Sequence, residues 1–146
     1  MKHLLELPQA WFLGFVLLAW GAGRLWPIRW DWGEAAGAYL IGAGLCLVVL
    51  AVFQMRRAHT TVMPGNIPDA LVIRGVFRLS RNPIYLGNAV LLAGLCLIWK
   101  APHGLILVPI FMAVIRQRFI LREEMTLRAT FGDAYEEWAS RVRRWI

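Results

Sequence analysis

Residues Val76–Lys100 read VFRLSRNPIYLGNAVLLAGLCLIWK, a basic, proline-containing turn that runs straight into an apolar segment ending at Trp99-Lys100. Asn82 is a good helix N-cap and Pro83 a good first helical residue, because the N–H that proline lacks would be unpaired in the first turn anyway. The apolar run Pro83–Trp99 carries no charged side chain. Its length is near the short end of the roughly 17–25 residues that cross a bilayer. Arg74, Arg78 and Arg81 crowd its mouth, more cations than anchoring needs. A helix starting here points its free N–H groups and the positive end of its dipole toward those arginines, which favours an anionic group such as a carboxylate or phosphate. Arg81 and Tyr85 are four apart and share a face if the helical turn extends through both, with Asn88 one turn further on. Interfacial anchoring by arginine and tyrosine is the lesser alternative for this stretch taken alone.

Three more apolar segments flank it: Leu7–Gly23, Ala35–Met55 and Gly104–Ile120. The chain has 146 residues, 59% of them hydrophobic, with a mean hydropathy of +0.54, too apolar for an ordinary soluble domain of this size. Eight tryptophans suit a protein anchored at membrane interfaces, because indole prefers the headgroup level. The expected fold is therefore an all-α integral membrane protein of about four transmembrane helices and a C-terminal amphipathic helix. A soluble helical bundle is the alternative. A cleavable signal peptide is not expected, since Leu7–Gly23 lacks a strong basic start.

The net charge of +7 is explained by orientation. Arg56, Arg57, Arg74, Arg78 and Arg81 follow the second segment, and Arg116, Arg118, Arg122, Arg128, Arg141, Arg143 and Arg144 fill the tail; the opposite ends hold only Arg24, Arg29 and Lys100. The positive-inside bias then puts both termini and the central connection in the cytoplasm, and the short chain fits a bacterial inner membrane. With the basic excess so explained, nucleic acid is not an expected partner. Cys46 and Cys96 lie in apolar segments as small hydrophobes, and His3, His59 and His103 are scattered, so neither a disulfide framework nor a metal site is expected.

The segments before residue 55 read as scaffold. Gly33, Gly37, Ala38, Gly42 and Gly44 let helix backbones approach closely in lipid. The connection Arg56–Asn82 has turns at Pro64-Gly65 and Pro68-Asp69, but its ALVIRGVF is too apolar for a disordered linker and predicts an ordered cytosolic element against the membrane or over a cavity. Past Arg116 the last helix should continue into the cytosol, with Glu124 and Arg128 able to form an i,i+4 surface pair. Phe131-Gly132 ends it, and Asp133 with Glu136 resembles a capping box for a further helix. In that helix Tyr135, Trp138, Val142 and Trp145 form an apolar stripe beside Arg141, Arg143 and Arg144, as in a helix lying at the interface.

Arg81, Asn82, Pro83, Tyr85 and Gly87, followed by Glu123, Glu124, Leu127, Phe131, Gly132 and Tyr135, resemble the motifs of the isoprenylcysteine carboxyl methyltransferase family and its relatives, the phospholipid N-methyltransferases. The resemblance covers roughly Thr60 to Ile146; Asn82 stands where many members have histidine. It implies an S-adenosylmethionine-dependent methyltransferase over residues 1–146, with 1–55 as scaffold and 56–146 as the cofactor-binding, catalytic part. The implied cofactor contacts are Arg81, Asn82, Pro83, Tyr85, Gly87, Asn88, Glu123 and Glu124. Glu124, Arg141 and Arg144 are the expected catalytic residues. The acceptor would be lipophilic and would arrive sideways among membrane lipids. An ionised carboxylate needs no general base, only a cation such as Arg141 or Arg144 to orient it, whereas an amine must first lose a proton. No histidine lies within either motif, which tilts the reading toward an isoprenylcysteine-type carboxylate over a phospholipid amine. The competing class is a small four-span transporter or structural subunit. A coupled transporter is expected to carry an ionisable residue within the membrane to couple transport, and no charge interrupts the first three segments.

Overall fold

The computed structural model describes residues 7–28, 31–60 and 68–146, and among them the regular structure is entirely helical. The order is α1 (Pro8–Leu25), α2 (Gly33–Arg57), a 3-10 turn (Gly75–Arg78), α3 (Pro83–Ile98), a 3-10 turn (Pro102–Ile106), α4 (Leu107–Ile115), a π-helical turn (Arg116–Ile120), α5 (Leu121–Phe131) and α6 (Asp133–Arg141). All four apolar segments are helical, with bounds close to those expected. The Pro64-Gly65 turn, His3 and Arg29 lie outside the described residues.

Among the described residues two helices are long and apolar enough to cross a membrane: Gly33–Arg57, and the continuous run Pro102–Phe131 that joins α4 to α5. Only 17% of the most apolar window of α2 is buried inside the protein. Tyr39, Leu45, Val49 and Phe53 all face outward. A core helix of a soluble bundle would hide these side chains, so lipid is the medium that fits them. α3 is shorter, at 16 residues, and much more buried. The apolar part of the last long helix ends at Ile120. α5 carries Arg122, Glu123, Glu124 and Arg128, so it belongs outside the hydrocarbon.

α3 is the hub. On one face Gly87 and Gly94 meet Gly44 and Gly37 of α2 in antiparallel order; a Cβ on Gly44 would come within 2.7 Å of the Gly87 carbonyl, and one on Gly94 within 2.7 Å of the Gly37 carbonyl. Each glycine pair is one heptad apart, so both contacts fall on one seam. This close approach is how helices associate in lipid without a hydrophobic driving force. On its other face Tyr85, Ala89, Leu92 and Cys96 enter a core with Phe15 and Ala19 of α1 and Phe111 and Ile115 of α4. Phe12 and Phe15 pack edge-on against Phe111, with ring centroids 5.8 and 5.4 Å apart.

A second core sits at the Arg57 end of α2. Ala51, Val76, Phe77, Tyr135, Trp138 and Val142 pack together, joined by Leu127 and Phe131. ALVIRGVF is thus ordered, as expected, and its Val76 and Phe77 turn onto α2 and α6. Gly75 has φ +60, and Val76 N–H donates to Gln54 Oε1 at 3.2 Å.

Three local expectations are corrected. Asp133 is the first residue of α6 with Gly132 as N-cap at φ 50; no side chain caps the helix, and Glu136 instead pairs with Arg128. That pairing also removes Arg128 from Glu124, which finds other arginines. The apolar stripe does not lie against lipid. α6 ends at Arg141, Val142 is extended, and Tyr135 and Trp138 are buried in the protein because Phe77 and Ala51 offer them a surface. The Trp138 indole N–H donates to the Phe77 carbonyl at 3.1 Å.

Candidate active site

The site is built where the start of α3, the first turn of α5 and the segment after α6 meet. Pro83 is the buried first residue of α3 and holds its first turn. Asn82 is the N-cap residue by position, but its side chain does not cap; its amide donates to the Arg144 carbonyl at 3.0 Å. Ser80, fully buried, donates to the same carbonyl at 3.3 Å and accepts from Asn82 N–H at 3.1 Å. Arg81 N–H donates to the Arg143 carbonyl at 3.0 Å. Residues 142–146 therefore run as a strap across the mouth of α3, with Trp145 packed against the core that contains Tyr85.

Under the strap lie three charged groups. Arg144 grips Glu124 with both arms of its guanidinium, Nε to Oε1 and Nη2 to Oε2, each 2.8 Å. Arg81 Nη1 stands 3.5 Å from Glu124 Oε1 and donates to the Tyr135 hydroxyl at 3.2 Å. The side chains of Arg81 and Glu124 are 15% and 12% exposed, so this triad is screened only in part. Burial pushes the Glu124 carboxyl upward, but its hydrogen bonds from Arg144 and the charges of Arg81, Arg144 and Arg128 outweigh that and hold it below the usual carboxylate range. Arg144 is held above its ordinary value by the same hydrogen bonds. Burial raises Tyr135, aided by the Glu124 charge.

The neighbouring glutamate is different. Glu123 accepts a 2.7 Å hydrogen bond from the Tyr85 hydroxyl. Burial raises the Glu123 carboxyl, and the Tyr85 bond offsets this only in part. Two adjacent carboxylates thus sit in opposite environments, one ionised among arginines and one inclined to hold a proton.

Of the residues expected to form a site, Arg81, Asn82, Tyr85, Glu123, Glu124 and Arg144 are brought together, with Pro83 beneath them. Gly87 faces away, into the α2 seam. Asn88 is half-buried one turn deeper in α3, and its side chain has no hydrogen-bond partner among the described residues. Arg141 is apart from the cluster, exposed on α6 and paired with Glu137 four residues earlier. Of the three arginines at the mouth of α3 only Arg81 turns inward; Arg74 and Arg78 are exposed. Sequence reasoning missed Ser80 and the carbonyls of Arg143 and Arg144. The serine directly before Arg81-Asn82-Pro83 was the one available signal, as a hydroxyl beside a helix start seeks backbone partners.

One group in the cluster is unsatisfied: Arg81 Nε is buried and has no hydrogen-bond partner among the described residues. A buried donor of this kind is costly unless an acceptor reaches it. The cluster can therefore take an anionic oxygen at Arg81 and offer carboxylate oxygens from Glu123 and Glu124 to a cationic or hydroxylated group.

A family model described as phospholipid methyltransferase matches residues 32–134. Proteins of Oryza sativa subsp. indica and subsp. japonica, each named as a probable protein-S-isoprenylcysteine O-methyltransferase, are 27% identical over 139 residues, 94% of this chain. The chain spans 62% of the length of each. An uncharacterized protein of Haemophilus influenzae is 49% identical over 37 residues, 25% of this chain and 59% of its own. No solved structure matches.

Proposed function

The chain belongs to the phospholipid methyltransferase family, and from that premise we propose that it transfers a methyl group from S-adenosylmethionine to a lipophilic, membrane-borne acceptor. The observation that carries this reading is the convergence of Arg81, Glu124, Arg144, Tyr85 and Glu123 at the start of α3. The donor set suits the cofactor: Arg81, with its orphaned Nε, and the N-terminus of α3 for a carboxylate, and the two glutamates for an amino group and ribose hydroxyls. When bound, the cofactor supplies a methyl group activated on a sulfonium. The protein's share is to hold and align the reactants and to exclude water, a contribution that reaches about 7–11 kcal/mol when the geometry is good. The strap over the site, with Trp145 against the core, serves that exclusion. Four crossings of a cytoplasmic membrane, with both termini and the central connection inside, complete the reading and put the cluster on the water-facing side.

An isoprenylcysteine-type carboxylate is the favoured acceptor. It needs a cation and no base, and the names of the rice relatives point the same way. Arg144 is the better orienting group, since Arg141 lies outside the cluster. A phospholipid amine is the second reading, favoured by one observation: Glu123 is buried with a raised proton affinity and could accept the amine's proton.

Calorimetry in detergent tests the cofactor. Saturable S-adenosylmethionine binding is expected, weakened at least tenfold in Arg81→Ala and Glu124→Gln; binding unchanged in both variants removes this site. Labelled cofactor incubated with prenylcysteine and with phospholipid pools then identifies the acceptor. Label in phospholipid that vanishes in Glu123→Gln selects the amine reading.

A further inference from the structure

Asn82 sits in the motif yet spends its side chain on the strap. Its amide and the Ser80 hydroxyl donate to one carbonyl, that of Arg144, at 3.0 and 3.3 Å. The Arg81 N–H takes the preceding carbonyl, and the Arg144 guanidinium, on the same residue, closes on Glu124. We propose that Asn82 is a positioning residue, with Ser80 as its second: together they clamp the main chain of Arg144, so that the strap closes and the guanidinium meets Glu124 through Nε and Nη2 in two parallel hydrogen bonds.

The chemistry required at residue 82 is a side-chain N–H donor within reach of a carbonyl; a carboxylate or a methyl group cannot supply it. Ser80 adds a link in series, because its oxygen accepts from Asn82 N–H while its proton goes to Arg144. The clamp holds backbone. Its hold on residue 144 is therefore independent of which side chain that residue carries, and loss of the Arg144–Glu124 pair alone should leave the strap in place. As the site beneath is the one proposed to hold S-adenosylmethionine, the inference deepens that reading.

The test uses a nitroxide on Ile146→Cys, an exposed position, in a Cys46→Ser background, since Cys46 is exposed and Cys96 buried. Spin-label mobility in nanodiscs reports strap closure, calorimetry reports S-adenosylmethionine affinity, and the thermal midpoint monitors the fold. Asn82→Ala and Asn82→Asp should add a mobile component and weaken cofactor binding roughly three- to tenfold, the effect of one lost hydrogen bond. Asn82→His, which restores a ring N–H, should recover both immobility and affinity. Arg144→Gln should keep the label immobile. An immobile label in Asn82→Ala overturns the clamp, and so does Asn82→His being as mobile as Asn82→Ala. If Asn82→Ala does not fold, Ser80→Ala carries the same prediction through the other donor, and an immobile label there overturns the proposal. A parent protein that binds no S-adenosylmethionine, while the mobility pattern holds, defeats the cofactor reading and leaves the clamp standing.

Discussion

The body of α3 and its start are held by opposite means. Along its length Gly87 and Gly94 press against Gly44 and Gly37 with no charge and no side-chain hydrogen bond, so shape alone does the holding. At its start the same helix is tied by two arginines, two glutamates, Ser80 and Asn82 to segments more than thirty residues away. The first region faces the medium in which apolar contact between helices is worth little, so backbone proximity is what is left. The second lies where water is partly excluded, and charge-assisted hydrogen bonds count for more there than on an open surface. The seam gives the helix its place; the clasp gives the site its chemistry.

Breaking the seam should cost most. Gly94→Leu sets a side chain into the Gly37 carbonyl and Ile41, and backbone cannot yield as a flexible side chain would. A loss of about 3 kcal/mol is expected, seen as a large fall in the thermal midpoint in detergent. A midpoint within a few degrees of the parent would show that α2 and α3 do not pack this way.

Cutting the clasp should cost less in stability and more in function. Glu124→Gln leaves Arg81 and Arg144 facing each other without their carboxylate, for a loss of about 2 kcal/mol in this half-screened setting. The thermal midpoint should fall moderately while S-adenosylmethionine binding drops at least tenfold. An equal and large effect on both readouts would make Glu124 a structural residue only.

The two glutamates should also be separable by pH. Glu124 has a depressed folded value, so its contribution is present above the unfolded carboxyl value of about 4.3 and is lost as pH falls through the folded value. Glu123 has a raised folded value, so its contribution is present below about 4.3 and is lost as pH rises through its folded value. Glu123→Gln should therefore flatten the alkaline limb of the midpoint-versus-pH curve, and Glu124→Gln the acid limb. Superimposable curves for the two variants would contradict the split. The smallest effect belongs to Arg141→Ala. This exposed pair should change stability by no more than about 0.5 kcal/mol and leave methyl transfer intact, whereas Arg144→Ala should impair transfer.

How much of this was legible depends on the range of the interaction. Pro83 after Asn82 announced the start of α3, and Gly132 the break before α6, because both are backbone preferences of single residues. The glycines of α2 signalled close packing by their spacing. The capping box failed because Glu136 had a free guanidinium, Arg128, within reach, and that ion pair competes with a local cap. The lipid-facing stripe failed because Tyr135 and Trp138 found protein. The spacing of an apolar stripe is the same whether lipid or protein covers it.

From the chain alone came the helical class, the apolar segments and the two motifs, since each depends on residue type and on neighbours three or four positions away. Which glutamate meets arginine and which meets tyrosine, that the Asn82 amide meets the strap, and that Arg144 pairs with Glu124 while Arg141 pairs with Glu137 were decided only by folding. These contacts join residues 20 to 62 positions apart, and no local periodicity encodes a partner at that distance.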